Sequence, residues 1–533
     1  RKSSISTLFL LCLHLSCPQR YTQALKSPER AEWQASMQLE LDTLQHKRKC
    51  WEIVPYPTDG HHNYLRCHFV YKVKMKQGKV ERFKSRLVVD GSKQVHGLDY
   101  SESFAPVVKY TTLRIFLAIS AVYKLHVHQL DVESAFIYAP LSEVVYMHPH
   151  PAMNIPPRHC IKLLKSLYGL KQSPRNWNVH LHDFIVSIGF RRSQLDHCVY
   201  IADFFSSIVV IAVFVDDILI ASDNNCALDH VKGLFSNKFK ITDMGLAQEF
   251  LNIRITQEPG KIIIDQEQYV RSLLDKYKSY IGSRNYADIP SMSEYIPRDV
   301  PPSSPKQREF IDSFPYSELV GALLYLAVVT RPDIMFAVGV LTHHLKSPTY
   351  ASCKAACRVL NYLSHHPAIA ICYSGRTLNL HAFTDSDWGS DKDTRRSTSG
   401  GIVLMAGGPV CWLSKLQPIV TVSSMEAEYV ACFFCLQEVA WIRQLLKDIG
   451  MERDFPTHVH IDNRSARQLA ENPVHHQRSK HIDIKFHWIR DMVASQTVQL
   501  MDVPTADQRA DFLTKTLGRE DFWRHVCSVL LVR

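Results

Sequence analysis

Apolar positions along this chain switch between a period of two and a period near 3.6, and the strongest run lies near the middle. Ile208 to Ala221 reads Ile-Val-Val-Ile-Ala-Val-Phe-Val-Asp-Asp-Ile-Leu-Ile-Ala. Two β-branched runs of strand length flank Asp216 and Asp217, which predicts a buried β-hairpin whose tight turn carries two carboxylates. Upstream, Tyr21–His46 has a helical stripe of Ala24, Leu25, Trp33, Met37, Leu41 and Leu44, and Trp51–Pro57 reads as extended. His68–Met75 and Val80–Asp90 read as paired strands across Gln77-Gly78. Thr111–Lys124 is an apolar-rich helix running into a strand, Leu125–Asp131, and further helices are expected up to about Gly189 and over Ala227–Phe239.

The pattern resumes after residues 291–315, whose Pro, Ser and charge content predicts a linker. Tyr316–Tyr362 is helical, with Leu319, Leu323, Leu326, Val338 and Leu341 as core positions. Leu378–Asp385 alternates, and Ile402–Met405 with Val410–Leu413 forms a hairpin across Gly407-Gly408. Ser423-Ser424-Met425-Glu426 is a capping box opening a long amphipathic helix that stops at Gly450. Val459–Asp462 and Thr497–Val503 are strands, and Asp507–Thr516 is expected as a helix carrying Asp511.

Composition narrows the partners. A chain of 533 residues with 46% hydrophobic content has the apolar material for two to four domains. Its formal charge of +10, with 27 histidines uncounted, favours an acidic partner such as nucleic acid. The 14 cysteines lack framework spacing, and the CxxC at Cys432–Cys435 has no second pair, so free thiols are expected rather than zinc. No run of about 20 apolar residues exists, so no membrane span is expected. The opening Arg1–Cys17 has a basic start and an apolar centre, Leu8–Leu15, like a signal peptide. It lacks Met and a small-residue cleavage site, so the chain is read as part of a longer, non-secreted translation product.

The acidic residues supply the candidate chemistry. Turn-tip Asp ordinarily comes with Gly or Asn, and neither is present at Asp216-Asp217. Two like charges beside an apolar core repel each other, and a bound cation relieves that cost. Asp131 ends a strand, where a sheet holds a ligand rigidly. Phe136, five residues on, is core by default and a floor for a sugar if a nucleotide binds there. Lys72, Lys74, Lys76, Lys79, Arg82, Lys84 and Arg86 crowd the first hairpin. They suit a solvated edge or a cationic flap over phosphates equally well. Gly169 and Pro174 bracket a loop in which Lys171, Gln172 and Arg175 mix with aromatic residues, a composition suited to phosphates and stacked bases. In the C-terminal part, Asp385, Glu428, Asp462 and Asp511 lie on successive strand ends and helices. Glu426 is expected to be taken by the helix cap. Glu428 lies about 200° further round the helix and faces elsewhere. Asp387 and Glu426 are the nearby alternatives.

Phe214-Val215-Asp216-Asp217, Gln129-Leu130-Asp131-Val132 and Leu167-Tyr168-Gly169-Leu170-Lys171-Gln172-Ser173-Pro174-Arg175 resemble the polymerase motifs of reverse transcriptases. More narrowly they resemble the polyproteins of copia-type LTR retrotransposons. Phe83–Val88, Ser103–Lys109 and Thr330–Ile334 support this from about Tyr21 onward. The resemblance implies an α+β, multidomain fold: a right-hand-like polymerase with fingers, palm and thumb, then a connection and a ribonuclease H-like mixed α/β domain. It divides the chain into a leader (1–20), fingers and palm (21–290), linker (291–315), thumb and connection helices (316–375), a ribonuclease H-like domain (376–520) and a tail (521–533).

The same resemblance implies RNA-directed DNA polymerase activity with ribonuclease H activity. Asp131 and Asp216, with Asp217 adjacent, become metal ligands of the first centre, and Asp385, Glu428, Asp462 and Asp511 those of the second. Each centre would take two Mg²⁺, or Mn²⁺, about 3.5–4 Å apart. Lys84 and Arg86 would bear on the triphosphate of an incoming dNTP, and Phe136 would crowd a 2′-hydroxyl. Gly169, Lys171, Gln172 and Arg175 would line the substrate path. RNA template, DNA primer, RNA–DNA hybrid and dNTPs are the implied partners. The implied location is the cytoplasm, in a virus-like particle for an intact element, with the nucleus as a second destination. His481 is expected to orient a loop. The chain departs from the family at Val89-Asp90, Tyr138-Ala139 and Asn252, where a more basic pair, Asn-Gly and Gly are usual. These departures motivate the competing reading, a decayed or co-opted relic that binds nucleic acid without turnover.

Overall fold

The structure, a computed structural model, describes residues 17–532 apart from 59, 61, 77–78, 282–285, 293–294, 453 and 472–479. Most of the expected leader and the Gln77-Gly78 turn lie outside the described residues, as does the side chain of His481, which starts the helix Lys480–Ala494. The α+β, multidomain organisation expected from the sequence is present. Five sheets are separated by helices, and among the described residues no helix is long and apolar enough to cross a membrane.

The central sheet orders its strands as Ile241–Leu246, His126–Val132, Asp217–Ser222, Ser207–Phe214, Val199–Phe204 and Arg191–Arg192. The continuous apolar run at 208–213 follows from cover on both faces. Leu130, Val209, Ile211, Val213, Ile218 and Ile220 join a core with Trp177, Leu181 and Ile185 of the helix Ser173–Ser187 and Leu228, Val231 and Phe235 of the helix Asn225–Lys238. The opposite face, with Val127, Val210, Ala212, Leu219 and Ala221, packs with the helix Tyr110–Val122. In front of this sheet stands the hairpin Cys67–Lys76/Lys79–Val89, braced by the helix Arg30–Asp42, whose Trp33 meets Tyr71 and Phe83 edge-on.

The C-terminal sheet orders its strands as Gly408–Leu416, Thr398–Met405, His381–Ser386, Thr457–Ile461 and Val498–Asp502, the last two pairings parallel. The helix Ser424–Asp448 covers one face, and turns at Thr505–Asp507 and Asp511–Leu513 lie at the other. Gly400 makes that second cover possible, because a Cβ there would stand 2.5 Å from the Thr514 methyl. The expected helix over Asp507–Thr516 is two 3₁₀ turns instead. Gln508 explains the break: its side-chain amide donates to the Thr384 carbonyl and holds the segment against the strand before a second helical turn can form.

Three further expectations are corrected. Within the expected linker, Pro305–Ser313 is a helix capped by Ser304, and Phe310 anchors it on Phe314 and Tyr350. The expected tail carries the helix Arg519–Val529, whose Phe522, Val526 and Val529 are buried at helical spacing, with Phe522 and Trp523 against Tyr362. The strand Ile371–Tyr373, expected among connection helices, pairs with Lys261–Asp265 and completes a sheet with Ile253–Glu258 and Glu249–Phe250.

One side chain that helps tie the N- and C-terminal halves together is Arg114, on the helix Tyr110–Val122, which is buried and, among the described residues, makes no ion pair with a carboxylate. Its Nε donates to Val410 O at 2.8 Å, and Nη1 donates to Val328 O and Val329 O at 2.8 and 2.9 Å. The guanidinium lies 4.0 Å over Trp412, whose indole N–H donates to Ala327 O at 2.9 Å. Backbone carbonyls thereby replace the water a buried cation would otherwise lose. Arg114→Met leaves these carbonyls unpaired and is expected to destabilise the chain by about 2–4 kcal/mol. Scanning calorimetry should show a lowered midpoint for the variant, and an unchanged midpoint would contradict this role for Arg114.

Candidate active sites

The first site is set by strand register. Asp131 pairs directly with Asp217, so both side chains leave the same face of the central sheet. Phe214 pairs with Asp217, leaving Val215-Asp216 as a two-residue turn. Val215 adopts φ 56°, a left-handed conformation that a β-branched residue takes at a cost of about 1–2 kcal/mol. Two bonds hold it there: Trp177 Nε1 donates to Val215 O at 2.7 Å, and Val132 N donates to Asp216 O at 2.9 Å. The sequence pattern thus carried the hairpin, while the strained turn depends on Trp177, 38 residues upstream.

Electrostatics confirm that these acids share one field. Burial raises the Asp131 pKa and the Asp216 charge adds to it, while Lys84 and Arg86 pull it back. Burial pushes Asp217 up to about 6, offset by a hydrogen bond from Gln129 at 3.2 Å and reinforced by Asp216 and Asp131. Lys84 is itself lowered, by burial and by Arg86, Arg82 and Lys74. The basic hairpin therefore faces the acids rather than open solvent alone. Arg86 lies 4.6 Å over the Tyr168 ring, which meets Phe136 edge-on at 5.1 Å. Tyr168 thus joins the site residues; its signal in the sequence is an aromatic directly before Gly169.

The loop after Tyr168 differs from expectation. Gly169 sits at φ +96°, and a Cβ there would lie 2.0 Å from Val89 O, so the glycine serves close backbone approach. Gln172 is fully buried; its amide donates to Asp99 O at 2.9 Å and accepts from Gln94 at 2.9 Å. Lys171 Nζ donates to Gln94 O at 3.1 Å and lies over Tyr100. Arg175 is paired with Glu102. Burial and internal partners commit Gln172 to holding the basic hairpin's end, which corrects its assignment as a substrate contact, whereas Gly169 is exposed and Lys171 half-buried. Arg175 stays partly exposed at the rim.

The second site gathers its acids more tightly. Asp385, Glu428 and Asp462 each offer a carboxylate oxygen within 4.8 Å of the others, the one such group of three or more among the described residues. Asp385 ends the strand His381–Ser386, and Asp462 follows Thr457–Ile461. Glu428 accepts from Ser386 N at 3.3 Å. Asp511 joins through Lys515, whose Nζ lies 2.9 Å from Asp511 and 3.8 Å from Asp385. Thr514 donates to Asp385. Lys515 and Thr514 were missed, although Lys515 stands one helical turn after Asp511 in sequence. The two alternatives are occupied elsewhere. Glu426 accepts from Val422 N at 2.7 Å in the helix cap, as expected, and Asp387 accepts from Thr398 N at 2.5 Å.

Burial and the charges of Asp385 and Asp462 drive Glu428 well above the ordinary carboxylate range. Burial and Asp385 push Asp511 up to about 7, against the pull of Lys515. Burial and Asp385 also raise Asp462. Glu428 Oε2 and Asp511 Oδ1 are buried without a hydrogen-bond partner. An all-oxygen donor set with orphaned buried carboxylate atoms fits a hard divalent cation such as Mg²⁺.

The departures from family pattern are accommodated. Asn252 occupies φ 58°, and Asn is the residue type, after Gly, that tolerates this region best. Ala139 has φ −83° and needs no glycine, and the Tyr138 hydroxyl accepts from Arg48 and from Lys240 N.

Residues 48–292 match the family model described as reverse transcriptase (RNA-dependent DNA polymerase). The Retrovirus-related Pol polyprotein from transposon TNT 1-94 of Nicotiana tabacum is 34% identical over 99% of this chain and 40% of its own length. The chain thus spans about two fifths of that relative. A Ty5-1 transposon protein of Saccharomyces cerevisiae is 31% identical over 58% of this chain and 100% of its own length. Among solved structures, a foamy viral protease-reverse transcriptase in complex with double-stranded DNA has TM-score 0.48 and 12% identity, covering 88% of this chain and 69% of that one.

Like charges packed this closely lower stability wherever they are ionised. The raised Glu428 binds its proton more tightly folded than unfolded, so stability falls as pH rises from the ordinary carboxylate range through the raised value. Glu428→Gln keeps an acceptor for Ser386 N and removes one charge. In EDTA at pH 8 it is expected to melt roughly 2–5 °C higher than the parent. That gain should shrink as pH falls and the parent glutamate takes up its proton. A gain absent at pH 8, or one that grows on acidification, would contradict the repulsion.

Proposed function

We propose that this chain, which belongs to the copia-type retrotransposon polyproteins carrying a reverse transcriptase, is an RNA-directed DNA polymerase joined to a ribonuclease H. The observation that carries the reading is the register of the central sheet. It sets Asp131 against the Asp216-Asp217 turn, beneath a hairpin whose Lys84 and Arg86 act on the same carboxylates.

At the first site Asp131 and Asp216 hold Mg²⁺, with Asp217 adjacent and steadied by Gln129. The cation, when bound, supplies a Lewis acid for phosphoryl transfer. The residues of the chain do the positioning. Lys84 and Arg86 neutralise the triphosphate of a dNTP, and Arg86 is fixed by its stacking on Tyr168. Phe136, braced by Tyr168, crowds the sugar edge and disfavours a 2′-hydroxyl. A groove of about 840 Å³ runs from Gln129, beside Asp217, to the helix Glu267–Lys276, lined by Met244, Gln248, Arg254, Gln257 and Tyr269. Its amides can hydrogen-bond a nucleic-acid backbone without base specificity, while its one guanidinium, Arg254, is paired with Asp265 and Glu267.

At the second site Asp385, Glu428 and Asp462 hold Mg²⁺, with Asp511 as fourth carboxylate. The reaction is hydrolysis of RNA in an RNA–DNA hybrid. Lys515 lies between Asp385 and Asp511 and offsets part of the repulsion between the two carboxylates. The chain would work in the cytoplasm, copying an RNA template and then removing it.

Asp216→Asn is expected to lower primer extension on poly(rA)/oligo(dT) with Mg²⁺ by at least about 10³-fold. Hydrolysis of a preformed hybrid should persist in that variant. Asp462→Asn should show the reverse pattern. Duplex binding by the parent with no extension under Mg²⁺ or Mn²⁺ would overturn the polymerase reading in favour of a relic.

A further inference from the structure

Three residues beyond Asp385 the chain presents an indole to solvent. Trp388 is 59% exposed, and its Nε1 reaches only the Thr421 carbonyl, at 3.4 Å. Thr421 lies on the loop that leads into the helix of Glu428, and the valines on either side of it, Val420 and Val422, are 53% and 86% exposed. The loop is pinned, since Val422 N donates to Glu426 Oε2. A rigid apolar rim therefore borders the second acid cluster, and a cluster of this kind on a soluble surface marks a contact site.

Charge beside the rim selects the partner. The loop 390–396 alternates in sign; Asp391 is buried and Asp393 exposed, and both acids are paired. Arg298 pairs with Asp391 at 2.7 Å and with Asp393 at 3.2 Å, and the Tyr295 hydroxyl donates to Asp393 at 2.6 Å. The loop's cations Lys392 and Arg395 are exposed. The Arg395 guanidinium lies over Gly389, the residue after Trp388, 3.6 Å from where a Cβ would begin. A flat aromatic face, aliphatic flanks and a neighbouring guanidinium match an anionic strand with planar bases and apolar sugar edges.

We propose that Trp388 is a positioning residue of the second site: it packs against one strand of an RNA–DNA hybrid whose backbone Arg395 neutralises, and so sets the register of the scissile bond over Asp385, Glu428 and Asp462. This rests on the ribonuclease H reading above and adds the surface that receives the hybrid.

The test uses the full chain and a hybrid whose RNA strand carries 5-iodouridine, irradiated in EDTA so that binding is read apart from hydrolysis. A crosslink to the peptide containing Trp388 is expected. Trp388→Ala should abolish that crosslink and raise KM for hybrid hydrolysis about tenfold, with a smaller change in kcat, and Trp388→Phe should restore most of the loss. Crosslinks that avoid this peptide, as they would if the rim received a protein instead, would overturn the proposal. So would an unchanged KM in Trp388→Ala, or a loss of kcat and thermal stability together that phenylalanine fails to rescue. Hydrolysis by the parent with no effect of Trp388→Ala defeats this inference alone. A Trp388 crosslink without hydrolysis would leave the hybrid contact standing but defeat the ribonuclease H reading and, with it, the positioning role.

Discussion

Carboxylates held close together by strands that cannot move apart are the constraint on which this molecule turns. Asp131 is locked opposite Asp217 by a ladder of paired residues, and Asp385 is locked between neighbouring strands in the same way. A loop would let such groups relax away from each other; a sheet buried on both faces does not. The consequence is visible in the raised proton affinities of Asp131, Asp217, Glu428, Asp462 and Asp511, where burial is the leading cause and neighbouring carboxylates add to it. The fold around each cluster supplies partial relief in different ways. At the first centre Gln129, Lys84 and Arg86 act from outside the cluster, and at the second Lys515 reaches into it.

The two centres also share a scaffold. Arg114 binds carbonyls from the helix Tyr316–Val329 and the strand Gly408–Leu416, and one buried apolar cluster runs from Leu113 through Leu323 and Tyr373 to Ile402 and Val526. The helix Tyr110–Val122 is buried along Thr112–Ala121 because it serves the central sheet on one side and the C-terminal hairpin on the other. The proposed polymerase and nuclease centres are therefore mounted on a common core. Residues far from either one, such as Trp412 and the C-terminal helix Arg519–Val529, set their relative placement through packing.

What could be read in advance follows physical lines. The central hairpin, the strand ending at Asp131 and the capped helix bearing Glu428 were legible, because period, β-branching and capping chemistry are local signals. The choice of Glu428 over Glu426 followed from helix geometry, and the cap contact at Val422 agrees with it. The misreadings share a cause as well. The loop at Gly169–Arg175 looked like a substrate surface because its composition is basic and aromatic. Only tertiary contact reveals that Gln172 is buried against Gln94 and Asp99. The linker reading rests on Pro, Ser and charge content, which hides the anchor Phe310. Trp388 carries no periodic signal, since it acts through what it leaves exposed, and the spacing of Lys515 from Asp511 acquires meaning only through a carboxylate pair formed by folding.

The central claim is that this chain builds two separate oxygen-lined cation centres on one core. A crystal of the full chain soaked in Mn²⁺, with anomalous difference maps recorded near the manganese edge, tests it most directly. Peaks are expected beside Asp131 and Asp216 and, independently, among Asp385, Glu428 and Asp462, with neither set depending on occupancy of the other. Maps with no peak at either cluster, or with manganese only at sites outside them, would contradict the account.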